Sequence, residues 1–69
     1  MSVKNDGEFV EYVGKKTIYK YYPYIDGENP NVLDFIRVEM VRNRESPAVI
    51  RQVTEEYLKC RRKCGLPTL

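Results

Sequence analysis

The sequence predicts a small single α+β domain: an N-terminal antiparallel β-hairpin, a third strand and a long C-terminal helix. Three observations carry this. Residues 8–25 are rich in β-branched and aromatic side chains and are broken by one turn signal. Within residues 35–41, apolar Ile36, Val38 and Met40 alternate with Arg37 and Glu39. Residues 46–65 repeat apolar side chains at helical spacing, with stop and start signals at both ends.

Residues 1–7 are polar and carry Gly7, so a flexible N-terminus is expected, followed by one domain over residues 8–69. The run EFVEYV (residues 8–13) favours a strand, Gly14-Lys15-Lys16 is a turn, and TIYKYYPYI (residues 17–25) favours a second strand. Pro23 has no amide to give a neighbouring strand, so the second strand has a free edge there or ends near it. DGENPN (residues 26–31) is the clearest loop signal in the chain.

Val32–Arg42 can be read two ways. Alternation over residues 35–41 favours a strand and a βββα order. A stripe of Val32, Leu33, Ile36 and Met40, with Pro30 at a good first helical position, favours a helix and a ββαα order. Glu39 sits next to that stripe, and Val38 and Val41 fall outside it, so the strand fits with fewer exceptions.

The last element is better specified. The Ser46 hydroxyl suits an N-cap, and Pro47 at the first helical position has no amide to leave unsatisfied. Val49, Ile50, Val53, Tyr57, Cys60 and Cys64 recur on one face, while Arg51, Glu55, Lys59 and Arg62 point away. Gly65 is the expected residue just past the helix, and Pro67 cannot continue it. Lys59, Arg61, Arg62 and Lys63 complement the negative end of the helix dipole.

At 69 residues the core is small, because a chain of this size buries only about 60% of its unfolded surface. Partner subunits commonly supplement such cores, and a homodimer is expected. There is no apolar run for a signal peptide or a membrane span, which predicts a cytoplasmic protein with reduced thiols. No histidine is present, glycine-rich phosphate loops are absent, and the carboxylates are scattered. These absences argue against an enzyme and against a bound cofactor or zinc site.

Net charge is +2, but residues 1–34 carry −2 and residues 35–69 carry +4. The basic half points to an anionic partner. On a strand, Thr17, Tyr19 and Tyr21 share one face, and Ile18, Lys20, Tyr22 and Tyr24 share the other. Aromatics beside lysines on a sheet can stack bases and hold phosphates. Arg42, Arg44 and Arg51 flank the start of the last helix.

SPAVIRQVTEEYLK (residues 46–59) resembles the second helix of ribbon-helix-helix DNA-binding proteins, through Ser46, Ile50, Arg51, Tyr57 and Leu58. KKTIYKYYP (residues 15–23) resembles that family's basic ribbon ending in proline. The resemblance implies that Thr17, Tyr19 and Tyr21 face outward to read bases, with strands of two chains paired in the major groove. It also requires Val32–Arg42 to be helical, and it leaves Lys20 facing inward. A βββα order would instead be similar to the small sheet-plus-helix DNA-binding domains of phage-type integrases.

The expected function is non-enzymatic nucleic-acid binding, as a DNA-binding regulator, through Lys15, Lys16, Lys20, Tyr19, Tyr21, Arg42, Arg44 and Arg51. The alternative is a protein–protein interaction module, an inhibitor or assembly factor, that uses the tyrosine-rich sheet face.

Overall fold

A computed structural model describes residues 3–26 and 31–66. Three strands come first: β1 (Val3–Asn5), β2 (Val10–Val13) and β3 (Ile18–Tyr21). Three helices follow: α1 (Pro23–Asp26), α2 (Val32–Arg42) and α3 (Pro47–Lys63). The expected α+β class, with an antiparallel sheet and its longest helix last, is what the chain forms. The strand order is β1-β2-β3, with Val3 opposite Tyr12 and Tyr12 opposite Tyr19. Most of the loop expected at residues 26–31, namely 27–30, lies outside the described residues, as does Pro67.

The third strand is not where alternation put it. Residues expected to be a flexible N-terminus supply β1, and Val32–Arg42 is a helix. Val32, Ile36 and Met40, four residues apart, are buried together. The apparent flaw in the helical wheel, Glu39 beside the stripe, is resolved by Tyr21, whose hydroxyl donates to the Glu39 carboxylate. A carboxylate at the margin of a core is tolerated when it is hydrogen-bonded. Phe35, Val38 and Val41 remain exposed. Val38 completed the alternation with Ile36 and Met40, yet it stays out of the core that those two residues join.

The sheet's inner face presents Val10, Tyr12, Tyr19 and Tyr21. α3 packs across β1 and β2 with Val49, Val53, Tyr57 and Cys60, and α2 packs on α3. Ile50 is only partly buried, beside this cluster. Cys60 is in the core while Cys64 is exposed, so the cysteine stripe stops contributing to packing after Cys60. Burial pushes the Cys60 thiol up from its ordinary value, outweighing the opposite pull of the Lys63 charge.

The helix ends follow the sequence signals. The Ser46 hydroxyl accepts from the Val49 amide at 3.2 Å, with Pro47 in the first turn. After α3, Gly65 adopts φ 76°, with its amide donating to Arg62 and that of Leu66 donating to Arg61. α2 ends in the same way without a glycine. Arg44 takes φ 61°, its amide donates to the Val41 carbonyl, and the Glu45 amide donates to the Met40 carbonyl.

Candidate nucleic-acid interface

The β2–β3 turn docks against the α2–α3 connector. The Tyr19 hydroxyl donates to Glu45 Oε2 at 3.0 Å. Gly14 lies so close to that carboxylate that a Cβ there would collide with Oε2. The docking brings Lys15 and Lys16 of the turn to the same end of the molecule as Arg42, in the last turn of α2, and Arg44 of the connector. All four are exposed, and none forms a salt bridge among the described residues. Glu45, next to Arg44 in the chain, accepts from the Tyr19 hydroxyl. Burial, together with the Glu45 charge, holds the Tyr19 phenol above its ordinary pKa, so it remains a neutral donor.

Tyr19 and Tyr21 are not surface residues. Their exposures are 2% and 6%. The outward orientation implied by the ribbon-helix-helix resemblance is therefore reversed at these positions, and Lys20 faces out. Register supplies the reason. Tyr21 lies opposite Val10 and Tyr19 opposite Tyr12, so all four share the face that α3 covers. The other parity would bury Lys20 at a prohibitive desolvation cost.

The outer face carries a different cluster. Lys20 Nζ lies 4.4 Å from the Phe9 ring centroid and 5.6 Å from that of Tyr22. Lys4 Nζ lies 5.8 Å from the Phe9 ring. Phe9 and Tyr22 are 5.3 Å apart, and Tyr24 of α1 meets Tyr22 edge-on at 5.9 Å. The Tyr22 hydroxyl hydrogen-bonded to Lys20, with Glu11 across the sheet, holds the ammonium above its ordinary pKa. The parity of residues 18–24 already grouped Tyr22 and Tyr24 with Lys20. Lys4 went unnoticed because β1 was not expected, and Phe9 because nothing fixed its strand's phase.

The remaining candidate, Arg51, stands apart on α3. It lines a shallow apolar groove with Arg37 and Val41 of α2 and with Ile50. The C-terminal basic run of α3 lies at the opposite end from the Lys15 turn. There Lys63 approaches Gly7, within the acidic β1–β2 turn.

No group of side chains among the described residues is arranged to hold a metal ion, and none of the described helices is long and apolar enough to cross a membrane. No protein-family model, curated protein or solved structure matches this chain.

Proposed function

We propose that the protein binds nucleic acid. Lys15, Lys16, Arg42 and Arg44 hold phosphates, and the Lys20–Phe9–Tyr22 face lies against bases or sugar. The observation that carries this reading is that four exposed cations, none in a salt bridge among the described residues, lie at the end joined by the Tyr19–Glu45 clasp. Cations without acidic partners are the groups whose association with phosphate releases counterions at least internal cost. Rings flanked by lysine on an open sheet face suit stacking against bases of any sequence.

The test is fluorescence anisotropy with labelled duplex DNA, single-stranded DNA and RNA across a salt series. Affinity should fall linearly in log–log form. A Lys15→Glu/Lys16→Glu double variant should flatten the slope by about two phosphate contacts. Absence of binding at low salt, or an unchanged slope in that variant, would overturn the reading.

A further inference from the structure

β3 forms the edge of the sheet, and the Gly14–Thr17 hydrogen bond fixes which of its peptide groups are used. In antiparallel pairing the bonded positions alternate. Tyr19 and Tyr21 therefore bond inward to β2, and the amides and carbonyls of Ile18 and Lys20 point outward from the sheet's edge. Beneath that edge lies a groove of about 480 Å³ lined by Ile18, Lys20 and the inner tyrosines of β3, and by Val32, Phe35 and Glu39 of α2. Its apolar rim is open: Ile18 is 61% and Phe35 57% exposed. An open strand edge over an apolar groove is the arrangement to which an extended segment adds as a further strand.

Charge selects the occupant. Residues 14–22 hold three lysines and no acid. A second copy of β3, paired about a two-fold axis through residues 18–20, has three registers that keep side chains on their proper faces. Centred on Ile18, pairing sets Lys20 opposite Lys16 of the copy. Centred on Lys20, it sets the two Lys20 side chains opposite each other. Centred on Tyr19, it leaves them on the diagonal, about 7–8 Å apart. Each register adds repulsion where an acidic strand adds attraction. Within the groove Glu39 would repel a carboxylate, so the residues facing inward must be apolar.

We infer that β3 accepts an extended segment of a partner protein in which apolar residues, seated over Phe35 and Val32, alternate with carboxylates that face Lys20. The groove is distinct from the four-cation end proposed for phosphate, and Lys20 is the one residue it shares with the face proposed to lie against bases.

The probe is an acetylated, amidated heptapeptide, Val-Glu-Val-Glu-Val-Glu-Val, titrated into 15N-labelled protein at low salt. Its counterpart carries lysine in place of glutamate. The acidic peptide should shift the amides of Ile18, Lys20 and Phe35 and slow hydrogen exchange at Ile18 and Lys20. Ile18→Pro deletes an outward amide without removing a bond to β2, and should weaken binding about tenfold. Phe35→Ala, at an exposed site, should weaken it severalfold while leaving duplex DNA affinity and Tm unchanged. Lys20→Glu should reverse the preference between the two peptides. Equal binding of both peptides, binding of neither, or a dimer by sedimentation velocity that Ile18→Pro dissociates would each overturn the inference.

Discussion

Arg44→Gly separates two roles that one residue combines. Arg44 sits at φ 61°, where the α2–α3 connection needs a left-handed residue to satisfy the Val41 and Met40 carbonyls. That conformation costs a side-chain-bearing residue about 1–2 kcal/mol. Glycine removes the cost, but its freer unfolded chain takes back about 0.5–1 kcal/mol. The variant should therefore gain about 0.5–1 kcal/mol, a rise in Tm of roughly 3–6 °C for a domain of this size. Thermal denaturation followed by circular dichroism at neutral pH reads it directly. Arg44→Lys, which keeps both strain and charge, should leave Tm and nucleic-acid affinity near those of the parent. Arg44→Gly should melt higher yet bind nucleic acid less tightly. A Tm that falls or does not move would refute the claim that the connector stores backbone strain. An unchanged affinity would remove Arg44 from the interface.

Three further outcomes test the frame around the site. Gly14→Ala would drive a methyl against Glu45 and against the Tyr19 ring, whose Cε2 lies 2.8 Å from the Cβ position. It should destabilise the fold by about 1–3 kcal/mol in urea unfolding and weaken nucleic-acid binding as the two basic segments part. Glu56 has its pKa lowered, first by the Asn5 amide and then by Lys59, so its contribution is present above the ordinary glutamate range and is lost as pH falls through the lowered value. Asn5→Ala should thus lower the urea midpoint at pH 7, and the difference from the parent should shrink on acidification. With a disulfide reagent such as DTNB, the exposed Cys64 should react quickly and the buried Cys60 only at the rate of local or global opening, giving two well-separated phases.

What could be read in advance depended on how local the determining physics is. α3 was legible to within a residue or two because its caps, proline and apolar stripe are all written into one stretch. Val32–Arg42 was not, because its deciding contact comes from Tyr21, on another element, which makes Glu39 acceptable beside the core. β1 was hidden for a similar reason. VKN has little strand character of its own and is ordered by pairing with Val10–Tyr12 and by the Asn5 amide, which donates to the Glu56 carbonyl. In the candidate site, the turn lysines and connector arginines were identifiable as charged and exposed. Their meeting at one end rests on the Glu45 clasp, a contact between residues 26 positions apart. The tyrosines were misassigned to the surface because alternation tells which residues share a face, not which face is covered.

The route by which β1 is held has a consequence of its own. Asn5 reaches Glu56 across 51 positions, and the Gly7 carbonyl lies near Cys64 across 57, so the first strand is fastened to the last helix. It is also what shields the second side of β2. Anything that levers up the C-terminal turns of α3 would loosen this three-residue strand and bare the border of β2 that it covers. The sheet's borders at rest are β1 and β3, and that of β2 is held in reserve. At concentrations where partly opened molecules meet, self-association should track the fraying of α3's last turns rather than the global stability of the fold.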